Sequence, residues 1–119
     1  MPLNRGDVEG MCKLFTSDAV IHGLMGPGTV ESFRPIWKNV IESLEEHLQV
    51  DAIIAEANIV AVRFTERGKS VREFKGQGPT GKSYEITAIE WFEIKGNLIH
   101  RRWGARDTAS QFRQLGFKQ

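Results

Sequence analysis

The feature that most constrains the fold is a change in hydrophobic period at about His47. Before it, apolar residues recur at steps of three and four, and after it they alternate with polar residues at every second position. The first pattern is typical of an amphipathic helix and the second of a strand with one buried face. Because the helical pattern comes first and the strands follow without helices between them, the sequence predicts an α+β fold, with helices on one face of a bent antiparallel sheet.

Three helices are expected. They cover residues 6–15, residues 29–44 with Thr29 as N-cap, and residues 108–115 with Gly116 as C-cap. A threonine hydroxyl accepts from the free amides at a helix start, and glycine adopts the left-handed conformation that ends a helix. Pro35 lacks an amide hydrogen, so it favours a start of the regular second helix close to itself rather than at Thr29.

Five strands are expected from the alternation. They cover residues 18–22, 48–54, 60–64, 84–94 and 98–105. Residues 56–58 are predicted to turn the first hairpin, and Gly96-Asn97 has the composition of a two-residue turn for the second. Residues 23–28 contain Gly26-Pro27-Gly28 and are predicted to form a loop.

The composition excludes several classes of function. The chain has 119 residues, which suits one domain over residues 1–119, and its 16 Lys and Arg against 15 Asp and Glu give a net charge of +1. The basic residues are scattered, so we expect no nucleic-acid binding. The apolar runs are far shorter than the roughly 20 residues that span a bilayer, so we expect no membrane association.

Cys12 is the only cysteine, and the three histidines are dispersed along the chain. One cysteine cannot form an internal disulfide, and neither residue type has the spacing of metal ligands. We therefore expect a cytoplasmic protein that works without a metal or another cofactor.

Residues 76–83 match the phosphate-binding pattern G-x-x-x-x-G-K-S/T residue for residue. In phosphate-binding proteins this loop leads into a helix whose first amides hold the phosphates. Here the following residues have the alternation of a strand, and Pro79 removes one of the amides. We interpret the segment as a turn before a strand.

Several short segments occur in an order and spacing typical of one known family. They are Gly6-Asp7, Leu14-Phe15, Asp18-Ala19-Val20, His22, Gly78-Pro79-Thr80-Gly81-Lys82, Trp91-Phe92-Glu93-Ile94, Lys95-Gly96-Asn97-Leu98-Ile99, Trp103-x-x-x-Asp107 and Gln114-Leu115-Gly116. In these segments, over nearly its whole length, the chain resembles the SnoaL-like polyketide cyclases, or ester cyclases, of the nuclear transport factor 2-like superfamily.

The resemblance implies a conical α+β fold, in which a strongly bent antiparallel sheet packs on N-terminal helices and encloses an apolar pocket. It implies cofactor-free ring closure by intramolecular aldol condensation, a small apolar molecule as substrate, and a homodimer or higher homo-oligomer. The chain departs from the family pattern in two places. Gly68-Lys69-Ser70 stands where the family often has Gly-Thr-His, and the first helix is shorter than usual. The substrate is therefore not carried over.

An aldol closure needs a group that removes a proton next to a carbonyl and returns one to the new alkoxide. The family's catalytic aspartate corresponds to Asp107. Counting alternate residues along the last strand places Asp107 on the same face as Ile99 and Trp103, in apolar surroundings that would raise the pKa of its carboxyl group. The alternative is that Asp107 only caps the final helix.

His22, at the end of the first strand, corresponds to a polar pocket residue of the family and is a candidate substrate orienter or proton partner. Its alternative is a structural histidine. Glu90 falls on an otherwise apolar strand face, so it should be functional or paired with Arg63, Arg67 or Arg102. Four aromatic residues are candidates for the substrate-binding wall, with burial in the core as their alternative: Phe33, Trp37, Trp91 and Trp103.

Two further functions remain open. Thr65-Glu66-Arg67 resembles part of the arginine motif of limonene-1,2-epoxide hydrolases, which makes Arg67 a candidate substrate-binding residue. Those enzymes use two acids ordered by one arginine, and Lys69 stands where the second acid belongs, unless Glu90 replaces it. The other possibility is a non-catalytic ligand-binding or dimerisation module of the same fold. The number of acids facing the pocket separates these functions: one favours a cyclase, two bridged by arginine favour epoxide opening, and none favours binding alone.

Overall fold

The computed structural model describes residues 1–23 and 26–119. They form three α-helices and a curled six-stranded sheet that does not close, which confirms the α+β class. The elements in chain order are α1 (Val8–Cys12), β1 (Phe15–Gly23), β2 (Gly26–Gly28), α2 (Val30–Leu44), β3 (His47–Glu56), β4 (Ile59–Lys69), β5 (Ser83–Lys95), β6 (Leu98–Arg106) and α3 (Thr108–Leu115), with a 3₁₀ turn at Leu3–Arg5 before α1. In this part of the chain, no helix has the length and apolar character needed to cross a membrane.

The strands follow the order β2-β1-β6-β5-β4-β3. Both predicted hairpins are present, but β1 pairs with β6 in the parallel sense, so the expectation of a wholly antiparallel sheet is wrong there. Parallel pairing requires a long connection, and α2 with two hairpins supplies it. Part of the predicted loop over residues 23–28 is strand β2, which pairs with β1, and the loop's residues 24 and 25 lie outside the described residues.

The two N-terminal helices differ from expectation at their starts and ends. Helix α1 is only five residues long, capped by Asp7, and Phe15 already belongs to β1. Helix α2 begins at Val30, before Pro35, because Thr29 and Ser32 satisfy each other's backbone amides in a capping box. This cap stabilises the first turn, and the proline removes a single hydrogen bond inside the helix.

The inner face of the sheet carries the core. Even-numbered residues of β4 and β5, such as Phe64 and Ala88, point toward α2 and α3 and are buried. The opposite, outer face is exposed although it is partly apolar: Ile89 is 54% exposed and Trp91 is 45% exposed. The inner face of the sheet is therefore covered by helices and can hold a site, whereas the outer face is exposed. The expected homo-oligomer stays a prediction.

Several backbone amides of residues 76–83 donate hydrogen bonds to groups of the protein itself. The amides of Thr80 and Gly81 donate to the side chain and backbone oxygens of Ser70, and the amide of Lys82 donates to the Thr80 hydroxyl. Strand β5 begins at Ser83, where a phosphate-binding loop would begin a helix. The segment thus leads into a strand as predicted, and the amides of Thr80, Gly81 and Lys82 are already occupied.

Candidate active site

A cavity of about 800 Å³ lies between the inner face of the sheet and the helices. Much of its lining is apolar and aromatic. The ring of Phe15 stacks on Trp37 with centroids 5.5 Å apart, and the Phe33 ring is tilted against Trp37 with centroids 6.0 Å apart. The predicted wall residues Phe33 and Trp37 therefore lie at the cavity, as do His22 and Glu90.

A group of charged residues also lines the cavity, on the inner face of the sheet. We call it the acid–arginine cluster, and it consists of Glu46, Glu66, Glu90, Arg102 and Arg106. Strands β4, β5 and β6 supply four of the five, because Glu66, Glu90, Arg102 and Arg106 all occupy inward-facing positions of neighbouring strands. Glu46 follows the end of α2. Three carboxyl groups and two guanidinium groups thus meet in a largely apolar space.

Arg106 bridges two of the acids. Its Nε lies 3.2 Å from Glu66 Oε1, and its Nη2 lies 3.4 Å from Glu90 Oε1. Arg102 donates from Nη2 to the same oxygen of Glu90. Glu90 is therefore held by two guanidinium groups, and the predicted alternative of an ion pair with Arg102 is found. Buried charges are stable only when paired in this way.

Glu66 has no exposed surface, and its two oxygens have different surroundings. Tyr84 Oη donates to Oε2 at 2.7 Å. Burial, and next the charge of Glu66, raises the pKa of Tyr84 well above its ordinary value. Oε1 and Arg106 Nε are buried and, although close together, are not aligned for a hydrogen bond with each other or with another group among the described residues. Glu66 Oε1 therefore keeps a lone pair without a hydrogen bond, in a residue that lines the cavity.

Glu46 carries a proton at neutral pH. Its burial raises the pKa of its carboxyl group to about 8, and the neighbouring Glu66 carboxylate adds to the rise while Arg106 opposes it. An acid with a raised pKa therefore lies beside a second acid, Glu66, which accepts from the Tyr84 hydroxyl. A raised pKa suits a carboxylic acid to donate a proton at neutral pH.

His22 is a lining residue of the cavity, but its ring is held on Trp103, whose cross-strand partner is the outward-facing Trp91. Its ring stacks on Trp103, with centroids 4.7 Å apart and planes within 2°. Its Nε2 is buried and has no hydrogen-bond partner in residues 1–23 and 26–119. The histidine is thus held by its face and offers one ring nitrogen without a protein partner. Its role as orienter or proton partner stays a prediction.

Asp107 lies elsewhere. Its side chain is exposed and accepts a hydrogen bond from the Ser110 amide at 2.9 Å, as the N-cap of α3. The expectation that it looks into the cavity is therefore wrong. A register shift between Glu93 and Ile94 changes the alternation along β6, so that residues 102, 104 and 106 face inward and Asp107 follows the strand's end.

Three more predicted site residues do not line the cavity. Arg67 is on the outer face, where it donates to Glu85 Oε1 at 2.7 Å and to Gln49 at 2.9 Å. Trp91 is exposed on the same face, and Trp103 is occupied by its stack with His22. Positions 67 and 91 are odd-numbered on strands whose even-numbered residues face inward, and this parity excludes them.

The sequence reasoning missed most of the cluster. Glu66 could have been found, because it extends the inward alternation of Val62 and Phe64 by two residues. Arg106 was hidden by the register shift in β6. No periodic signal marks Glu46, which sits between a helix and a strand. No group of three or more His, Cys, Asp or Glu residues in the described part of the chain is arranged to hold a metal ion.

Solved structures with the same fold come from several bacteria. IdmH of Streptomyces antibioticus, a candidate polyketide cyclase, is 27% identical over 97% of this chain and 91% of its own, with a TM-score of 0.83. AclR of Streptomyces galilaeus, a candidate hydroxylase, is 22% identical over 97% and 87%, with a TM-score of 0.88. A candidate polyketide cyclase of Xanthomonas campestris pv. campestris is 18% identical over 96% and 88%, with a TM-score of 0.85. The comparison with curated proteins found no match.

The structures that are less than 25% identical to this chain support the fold alone. The family assignment rests on the sequence. The family model described as SnoaL-like polyketide cyclase matches residues 2–115, which is nearly the whole chain. The predicted resemblance is confirmed, and the chain belongs to the SnoaL-like polyketide cyclase family.

Proposed function

We propose that this protein is a cofactor-free acid–base enzyme of the cyclase type, which closes a ring in a small, largely apolar, polyketide-like carbonyl compound. Family membership supports the reaction class, and the apolar and aromatic lining of the cavity supports the kind of molecule. The observation that carries the proposal is the group of buried acids at the cavity, in which Arg106 lies 3.2 Å from Glu66 and 3.4 Å from Glu90. The raised pKa of the neighbouring Glu46 supports it. Asp107 is not part of the proposal, because its carboxylate is committed to capping α3.

In this proposal, Glu66 removes the proton from a carbon next to a carbonyl group. Its free Oε1 is the basic atom, and the Tyr84 hydroxyl on Oε2 holds the carboxylate in place. The resulting enolate carbon attacks a second carbonyl of the same molecule, and the new alkoxide takes the proton of Glu46. The product is an isomer of the substrate, and proton transfer from Glu66 to Glu46 restores the starting state.

The arginines supply electrostatic stabilisation. Arg102 and Arg106 both line the cavity and are fixed by Glu90, so their charge is present before the enolate forms. Positive groups that are already oriented stabilise developing negative charge without reorganisation, and such groups contribute strongly to rate in a site shielded from water. Glu90 is thus a positioning residue, which holds both guanidinium groups.

Deuterium exchange tests the proton-removal step without knowledge of the natural substrate. We expect the protein to speed exchange next to the carbonyl of α-tetralone in deuterated buffer, followed by NMR. Glu66→Gln should reduce the enzyme-dependent rate by about a hundredfold or more. The matched control is Glu85→Gln, on the neighbouring strand but on the outer face. Equal rates for both variants, or no exchange above buffer with α-tetralone and an aryl β-diketone, would contradict the proposal.

Epoxide opening is the second candidate. The number of acids at the cavity favours it, whereas the family match favours the cyclase. Arg106 bridges Glu66 and Glu90, which is the acid–arginine–acid arrangement that the alternative requires. Glu66 would take a proton from water, the hydroxide would attack an epoxide carbon, and Glu46 would protonate the oxygen that leaves it. Styrene oxide in oxygen-18-labelled water tests this: a labelled diol lost in Glu66→Gln supports epoxide opening. Unchanged epoxide, together with ketone exchange, supports the cyclase.

A further inference from the structure

We infer that Gly104 is a positioning residue of the acid–arginine cluster: the missing side chain at this inward-facing point of β6 leaves the space in which the Arg102 guanidinium lies on Glu90. The inference rests on the proposed function for its activity measurement. The position of the Arg102 guanidinium is tested by a crystal structure, which does not depend on the proposed function.

The register places Gly104 at the centre of the cluster. It pairs with Glu90 across β5 and β6, and it lies between the two inward-facing arginines of its own strand, Arg102 and Arg106. It also lines the cavity. A side chain at this position would enter the space that the cluster uses.

A side chain at position 104 would crowd the Arg102 guanidinium. A Cβ atom on Gly104 would lie 3.2 Å from Arg102 Nη2, 3.6 Å from Arg102 Cζ and 3.6 Å from Glu90 Oε1. The first distance is tighter than ordinary van der Waals contact, and the atom concerned is the one that donates to Glu90. The end of a long arginine side chain can move, so we expect the guanidinium to shift rather than the backbone.

The backbone itself does not require glycine here. Gly104 belongs to a regular strand, and it is not among the glycines with positive φ. Gly68 on β4 shows the opposite case, because a Cβ there would lie 2.5 Å from the backbone oxygen of Leu44 and 2.4 Å from the Tyr84 ring. Alanine at position 104 is therefore compatible with the fold, and alanine restricts the unfolded chain more than glycine does. A purely structural role would not explain why this position is empty.

The consequence for chemistry follows from the position of Arg102. Its side chain is only 14% exposed, it lines the cavity, and one of its nitrogens is committed to Glu90. Its other N–H groups are the donors that can meet an enolate oxygen. Moving the guanidinium would displace these donors and weaken the contact of Arg102 with Glu90.

The test compares Gly104→Ala, Arg102→Gln and the double variant. In a crystal structure of Gly104→Ala we expect the Arg102 guanidinium to have shifted from its wild-type position by a few tenths of an ångström, with a melting temperature equal to or above that of the wild type. We expect α-tetralone exchange to fall about tenfold or more, as for loss of an oriented donor. Because Gly104 acts through Arg102, the double variant should be no slower than Arg102→Gln. Arg101→Gln, at the exposed neighbouring position, is the control for arginine removal.

Two results would overturn the inference. One is an Arg102 guanidinium that keeps its wild-type position in Gly104→Ala, and the other is a double variant slower than Arg102→Gln by the full effect of the glycine substitution. A wild-type protein inactive on every probe would contradict the proposed function instead. In that case the crystal structure of Gly104→Ala still decides where Arg102 lies.

Discussion

The hydroxyl of Tyr84 donates a 2.7 Å hydrogen bond to Glu66, and neither side chain has appreciable access to water. This bond fixes one carboxylate oxygen, while the other lies 3.2 Å from Arg106 Nε. It also ties the cluster to the core, because Tyr84 belongs to the core cluster that contains Leu44, Phe74 and Leu115. The same tyrosine therefore serves both the packing of the sheet on its helices and the orientation of the proposed base.

The first prediction uses the fact that Tyr84 is the only tyrosine of the chain. Burial, and next the charge of Glu66, raises its pKa well above the ordinary value of 10.0. Tyrosinate absorbance should therefore stay absent in the folded protein at pH values where a free tyrosine ionises, and should rise only together with unfolding. Circular dichroism recorded in the same titration identifies the unfolding. Reversible ionisation near the ordinary pKa, with the fold intact, would show that Tyr84 is not buried on Glu66.

The second prediction concerns the pH dependence of stability. Glu46 has a folded-state pKa of about 8 against an ordinary value of 4.5, so the folded state holds a proton that the unfolded state releases. The stability that Glu46 contributes is complete below about pH 4.5 and is lost as the pH rises toward 8. The slope in this interval should approach a loss of about 1.4 kcal/mol per pH unit.

Glu46→Gln should remove most of that slope, because glutamine has no proton to lose. Urea denaturation at several pH values measures it, and Glu42→Gln, an exposed change on α2, should keep the wild-type slope. A wild-type protein as stable at pH 8 as at pH 5, with Glu46→Gln giving the same profile, would contradict the buried, protonated state of Glu46.

The third prediction separates capping from catalysis at Asp107. Because its carboxylate accepts from the Ser110 amide, Asp107→Ala should lower the free energy of unfolding by about 1 kcal/mol, whereas Asp107→Asn should change it little. Both variants should keep their α-tetralone exchange rate, since the side chain is outside the cavity. Loss of exchange in Asp107→Asn at unchanged stability would restore the role that the family resemblance implies.

Local patterns were enough to predict much of the fold. Helix α3 and its end at Gly116 follow from an apolar stripe and a glycine that adopts φ 75°, and the β5–β6 hairpin follows from alternation around Gly96. These features depend on residues close together in the chain. The parallel pairing of β1 with β6 joins residues about eighty positions apart, such as Ile21 and Arg102, and no local pattern encodes it.

The site was harder to predict because it depends on which face each residue occupies. One register shift between β5 and β6 reverses the alternation, and with it Arg106 replaces Asp107 as the inward charged residue. Glu90 was singled out correctly as an acid on an apolar face, since β5 alternates without interruption there. Glu46 is buried by elements that meet only in the folded protein, so its raised pKa has no counterpart in the sequence.

The fourth prediction concerns the N-terminal segment, which covers part of the cavity. The Asn4 side chain pairs with the backbone of Leu48, donating to its oxygen at 2.9 Å and accepting from its amide at 2.8 Å. This pairing holds Leu3 in the core. It also keeps the segment in place as part of the cavity lining, to which Met1, Pro2 and Leu3 contribute. Asn4→Ala should therefore lower the free energy of unfolding by about 1–3 kcal/mol, because a partly buried backbone amide and carbonyl lose their partners.

The same change should speed hydrogen exchange at the Leu48 amide more than at the amide of Leu115, which lies in α3 away from this contact. Asn97→Ala, an exposed substitution in the β5–β6 turn, is the control and should leave both amides unchanged. Equal protection of Leu48 in wild type and Asn4→Ala would mean that the segment does not depend on this pairing. In that case other contacts, such as Leu3 in the core, would hold the N-terminal wall of the cavity.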